Sequence, residues 1–169
     1  KAGSNLWGKF TAIYPYTGSG SLTASLKELK SLGTVGLNVI GAANQSSLGV
    51  ETTTTNSYAT YPSGYALAIG TNTIVLSIQE DISSAGWDFG TTGTRYNFSV
   101  RNISNNTNLN IYGTTSVSVS NTNARGLYIM KIPSAASSPG VELYKNGSLI
   151  GTGSTGIQSS VGTQNALGT

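Results

Sequence analysis

A chain of 169 residues has room for one domain with a two-layer core. Its 9 Lys and Arg and 6 Asp and Glu leave a net charge of +3 and make only 9% of the chain charged, against roughly 25% in typical globular domains. The basic residues are scattered, which excludes a phosphate-tracking stripe for nucleic acid. The absence of Cys and His excludes disulfides, thiolate and histidine metal sites, and histidine-dependent nucleophilic catalysis.

Ser, Thr, Asn and Gly make up about half the chain, yet 37% of residues are hydrophobic and fall in short alternating runs, the pattern of a folded β protein and not of a disordered one. No apolar run has the length of a membrane span, and no signal peptide opens the chain. Residues 6–16 (LWGKFTAIYPY) alternate Phe10, Ala12 and Tyr14 on one face and predict an opening strand that ends at Pro15 and Gly18. Leu22, Leu26, Leu29 and Leu32 follow at helical spacing, with Ser25 three residues before Glu28 and Gly33 after the last leucine. They predict one short helix or helical turn near residues 22–32, capping an end of the sandwich.

From residue 35 on, the pattern is strand, turn, strand. Residues 35–40, 65–69 and 74–80 are β-rich runs set between Gly, Asn, Ser and Pro clusters. Tyr96, Phe98 and Val100 alternate with Arg95, Asn97, Ser99 and Arg101, predicting a half-buried strand with its polar residues outward. TSVSVS at 115–120 and GLYIMKI at 126–132 predict two further strands. In VELYKNGSLIGTG, at 141–153, two apolar runs meet at Asn146-Gly147, the signature of a two-residue hairpin in a type I′ turn. Short strands at close spacing predict an all-β, antiparallel β-sandwich of jelly-roll type spanning residues 1–169.

Few residues carry chemistry. The acids are Glu28, Glu51, Glu80, Asp81, Asp88 and Glu142. Glu80 and Asp81 are adjacent, so a strand would send them to opposite faces, unlike the paired carboxylates of a glycoside hydrolase. No catalytic residue is therefore assigned. Asp81 and Asp88, in the loop EDISSAGWD, are hard oxygen ligands that would suit Ca²⁺, the one cofactor considered, or form solvated Asx turns. Trp87 beside Asp88 is the leading candidate for stacking on a sugar, with Tyr61 and Tyr65 adding aromatic surface; the alternative places Trp87 in the core. Asn44, Asn97, Asn102, Asn105 and Asn146 head glycosylation sequons. Asn97 and Asn102 are expected on the exposed side of their strand, and Asn146 already has a reason to be Asn in its turn.

Three blocks in order resemble one family. NLWGKFTAIYPYTG is similar to an opening "LW-x-K-x-x-AIYP" block, and SLGVETTTTNSYATY to a following "G-x-x-x-NG-x-x-x-YA" segment. In residues 120–168, GLYIMKI, YKNGS and VGTQNALG are similar to the "GLF-apolar", "YKNGS" and "IGA-x-N-x-x-G" elements that close the domain. Together they resemble the concanavalin A-like (laminin G-like) jelly-roll domains of tailed-bacteriophage virion proteins. The resemblance implies a non-enzymatic fibre, decoration or appendage domain on the virion surface or otherwise extracellular. Its implied partners are other copies of itself or neighbouring virion proteins, with host-surface glycans as ligands, and neither nucleic acid nor membrane insertion. A lectin-like adhesin and a self-assembling filament subunit are the alternatives. The chain departs from the pattern at VLSIQED, where the family has a "YSRT"-like strand. It also stops where the family continues, so truncation at the C-terminus and an open sheet edge are expected.

Overall fold

A computed structural model describes residues 13, 38–46, 49–52, 58–60, 72–83, 87–91, 96–111, 114–133, 140–154 and 165–167. These form β1 (Asn38–Ile40), β2 (Ala43–Ser46), β3 (Gly49–Thr52), β4 (Tyr58–Thr60), β5 (Asn72–Ile78), β6 (Phe89–Thr91) and β7 (Tyr96–Ser99). There follow β8 (Asn106–Ile111), β9 (Thr114–Ser120), β10 (Gly126–Ile132), β11 (Val141–Lys145), β12 (Ser148–Gly153) and β13 (Asn165–Leu167). No helix occurs among the described residues; the stretch near 22–32, the opening strand and the run at 65–69 lie outside them.

Pairing is antiparallel throughout. One sheet has seven strands in the order β1-β4-β13-β6-β7-β8-β9, a second has four in the order β12-β11-β10-β5, and β2 and β3 make a separate hairpin. Alternation in the sequence explains why the two larger sheets face each other. Thr107, Leu109 and Ile111 of β8 are buried while Asn106, Asn108 and Asn110 are not, and Tyr128, Met130 and Ile132 of β10 are fully buried. The inner faces meet at Phe98 of β7 and Tyr128 of β10, packed edge to face with ring centroids 5.7 Å apart. That geometry contributes about 1 kcal/mol beyond the area it buries. Phe89, Val100, Val117, Ala124, Ile74, Val141 and Leu143 complete the common core of the described residues. The described chain is thus an all-β, two-sheet sandwich.

The larger sheet shows how non-local pairing and sequence pattern agree. One register row crosses all seven strands as Val39, Ala59, Leu167, Phe89, Phe98, Leu109 and Val117. Every member is apolar. The adjacent row reads Asn38, Thr60, Ala166, Gly90, Asn97, Asn110 and Thr115, all small or polar. A slip of one residue in any strand would exchange the two rows. β13, formed by the NAL of the final block, lies between β4 and β6 in the interior of the sheet, and the sheet's edges are β1 and β9.

The Asn-Gly hairpin forms as the sequence requires. Asn146 and Gly147 have φ of 51° and 82°, Lys145 pairs with Ser148, and both central residues occupy the left-handed region that a type I′ turn needs. Asn146 also extends the ladder sideways: its N–H donates to the Leu127 carbonyl at 2.8 Å and its Oδ1 accepts the Leu127 N–H at 2.9 Å. Where β12 crosses β9, Gly151 and Gly153 let the backbones approach. A Cβ on Gly151 would meet Val117 and Val119 side chains at 2.6 and 2.7 Å, and one on Gly153 would overlap the Ser116 carbonyl.

Candidate functional site

Of the predicted site residues, Asp81, Trp87 and Asp88 fall where β5 runs out and β6 begins. Asp81 follows the end of β5. Its Oδ1 accepts the Ala124 N–H at 2.7 Å and a hydrogen bond from the Arg101 guanidinium, which also reaches the Thr122 carbonyl at 3.3 Å. The Ala124 N–H, and after it Arg101, hold the Asp81 carboxyl below the usual carboxylate range. Asp88 precedes β6, half-buried. Its N–H donates to the Phe98 carbonyl at 2.8 Å, and its Oδ2 accepts the Val100 N–H at 2.6 Å. The carboxylate thus continues the β6–β7 ladder past the last strand residue.

Burial pushes the Asp88 carboxyl above its ordinary range, against the lowering effect of the Val100 and Asp88 N–H groups. The two acids therefore have opposite linkage. Asp81 stabilises the fold above its ordinary pKa, and that contribution is lost as pH falls through its depressed native value. Asp88 holds its proton to higher pH in the folded chain than in the unfolded one, so stability falls as pH rises through the window above its ordinary value. Asp88→Asn keeps an acceptor for Val100 and removes the buried charge. Its urea midpoint is expected above wild type at about pH 7 and equal to it below about pH 4; a variant weaker than wild type at neutral pH would contradict this.

Trp87 is half-buried and stands outside the fully buried core cluster. Tyr61 and Tyr65 lie outside the described residues. The proposed calcium pair does not fit a cation: the Arg101 guanidinium already supplies positive charge at Asp81, and Asp88 is bound to backbone N–H donors. No three of His, Cys, Asp and Glu stand together among the described residues. Glu142, on β11, is held by Lys131 at 3.0 Å and by the Tyr144 hydroxyl at 2.8 Å, partners that lower its pKa.

The sequons take three settings. Asn44 is exposed on β2, and Asn97 is half-buried on β7. Asn102 sits in a tight turn and not on a strand face, a departure from the sequence reading. Its Oδ1 accepts the N–H groups of Ser104 and Asn106 at 2.9 and 3.0 Å, while Asn105, at φ 57°, completes the turn. Short side-chain acceptors that mimic backbone turns account for these asparagines. Asn146 is committed to Leu127, as described above.

A polar knot behind this end was not legible in the sequence. Asn121, 8% exposed, donates from Nδ2 toward the Val100 carbonyl, Thr107 Oγ1 and the Tyr128 hydroxyl at 2.9, 2.8 and 3.0 Å, and its Oδ1 accepts Lys145 at 2.9 Å. Thr107 donates onward to the Val100 carbonyl at 2.6 Å, Tyr128 to the Ala124 carbonyl at 2.9 Å, and Lys145 to the Asn123 carbonyl. Residues 121–125 are thereby fastened to both sheets.

The outward face of β7–β9 is a carpet of amides and hydroxyls. A row crosses from Ser99 through Asn108 to Ser118, whose hydroxyl donates to Asn108 Oδ1 at 2.8 Å. Ser99, expected outward and exposed, is 2% exposed; among the described residues its Oγ has no hydrogen-bond partner, nor has the buried Asn110 Oδ1. Of this face, the sequence reading singled out only the Asn97 sequon; the cross-strand register supplied the rest. No helix among the described residues is long and apolar enough to cross a membrane. No family model, curated protein or solved structure matches the chain.

Proposed function

We propose that the chain is a non-catalytic structural module of a virion surface, a fibre, decoration or appendage domain of a tailed bacteriophage. In this reading it is a concanavalin A-like jelly roll that touches host-surface glycans. The observation that carries it is the division of labour among side chains. Asp81, Asp88 and Glu142 are tied to donors within the frame, while Asn97, Asn108 and Ser118 face outward from β7–β9. Neutral amides and hydroxyls both donate and accept, the complement of a sugar's hydroxyls, and Trp87 adds a half-buried aromatic nearby in the chain. What supports the jelly roll is the non-local pairing of β5 with β10 and of β13 with β4 and β6, crossovers of the kind that Greek keys contain. The closing elements that resemble the phage domains coincide with β10, the β11–β12 hairpin and β13.

A glycan array and immunogold microscopy test the two halves separately. The chain should bind a subset of bacterial surface glycans, with at least about tenfold weaker binding in Asn97→Ala/Asn108→Ala, in line with the loss of two to three hydrogen bonds. Antibodies to the chain should label the outside of the encoding particle. Silence across the array would remove the glycan contact, and glycan binding without particle labelling would assign the chain to a free adhesin.

A further inference from the structure

The outward face of the four-stranded sheet carries an apolar row where a solvated sandwich face should be polar. Val75, Ile129, Tyr144 and Leu149 stand directly opposite one another on β5, β10, β11 and β12, forming one row across the whole sheet. Val75 is 46% exposed and Leu149 52%, and Leu127, two residues before Ile129 on the same face, is 43% exposed. The next row reads Thr73, Lys131, Glu142 and Thr152. Within it Lys131 pairs with Glu142 at 3.0 Å and lies over the Tyr144 ring, 4.7 Å from its centroid. An apolar row with exposed ends and a half-buried centre, beside a charged pair, suits an interaction surface.

We infer that this face binds a second copy of the chain about a two-fold axis. An axis parallel to the strands and midway between β10 and β11 leaves each row opposite itself and exchanges β10 with β11 and β5 with β12. Ile129 then faces the other copy's Tyr144, Val75 faces Leu149, and Lys131 faces Glu142. Apolar residues meet apolar ones and each charge meets its opposite, so the face is self-complementary in both respects. Sheets packed face to face align within about 30°, which preserves these partners near the axis. The face is four strands wide and about five residues long, roughly 20 by 17 Å. That is small beside the standard interface of about 1,600 Å², so the dimer is reversible and concentration-dependent. The inference is independent of glycan binding and of the virion reading.

Sedimentation velocity of the full chain from about 1 to about 500 µM tests it. Wild type should pass from monomer to dimer within that range. Leu149→Lys, on an exposed edge-strand position, should weaken the dimer at least about tenfold. Lys131→Glu alone and Glu142→Lys alone should each remain monomeric, since each opposes like charges, whereas an equimolar mixture of the two should form a heterodimer. A wild-type chain that stays monomeric throughout, or a mixture no more associated than its components, would overturn the proposal.

Discussion

Replacing Asn121 with Ala is expected to lower the stability of the chain by about 3 kcal/mol, because it dismantles a buried network and not a single bond. The two Nδ2 hydrogens are shared among three acceptors, and Oδ1 accepts from Lys145. Without it the Thr107 and Tyr128 hydroxyls each lose a buried donor, and Lys145 loses one of its two oxygen partners. Val100 O retains Thr107, which limits the loss. Asn121→Asp should recover only part of it: the carboxylate keeps Lys145 but cannot donate to the hydroxyls or to Val100. Urea unfolding with a single cooperative transition provides the measurement. A loss below about 1 kcal/mol for the alanine variant would mean that the knot is peripheral to the frame.

Gly153→Ala should do at least as much damage by a different route. Its methyl would overlap the Ser116 carbonyl oxygen and lie 2.6 Å from the carbonyl carbon. Backbone cannot rotate away as a side chain can, so β12 and β9 must separate, at a cost of about 3 kcal/mol or more. Gly151→Ala meets only the ends of Val117 and Val119 and should fall short of that. Gly147→Ala is the contrast: the added methyl finds open space, and only the φ of 82° opposes it, at about 1 to 2 kcal/mol. Thermal midpoints of the three variants should therefore rank Gly153→Ala lowest. A Gly153→Ala protein as stable as Gly147→Ala would show that the sheets do not approach at this crossing.

The sequence was most legible where structure is local. Asn146-Gly147 carries its own turn geometry, and the alternation at residues 96–101 marks Phe98 and Val100 as buried, although it leaves Ser99 on the exposed side where the structure buries it. The run at 35–40 is described from residue 38 on, as β1, and the run at 74–80 becomes Asn72–Ile78, a shift of the size that end effects produce. What could not be read is pairing between distant segments. Nothing in NAL signals that β13 belongs between β4 and β6, because three residues hold too little periodicity and their partners are about 75 and 105 positions away. Asn121 illustrates the same limit for polar groups. In an Asn-rich chain it resembles fourteen others, and only the approach of Val100, Thr107, Tyr128 and Lys145 distinguishes it. The candidate site shared this fate: Trp87 and Asp88 could be named from composition, whereas the neutral face of β7–β9 exists only through register.

Two outward surfaces of opposite character follow from one frame. Strands β7–β9 present amides and hydroxyls, and the four-stranded sheet presents an apolar row with one charged pair. Pairing through the second face leaves the first exposed on both copies, so weak individual glycan contacts would gain from bivalency. This links the interface to the proposed role without either depending on the other.

The most direct test of binding without cleavage is repeated-cycle biosensor measurement on a layer of polysaccharide from the host's surface. The chain should bind reversibly with the same amplitude in every cycle, and Asn97→Ala/Asn108→Ala should bind at least about tenfold more weakly. No binding by the wild-type chain, or a layer that erodes from cycle to cycle, would contradict the account.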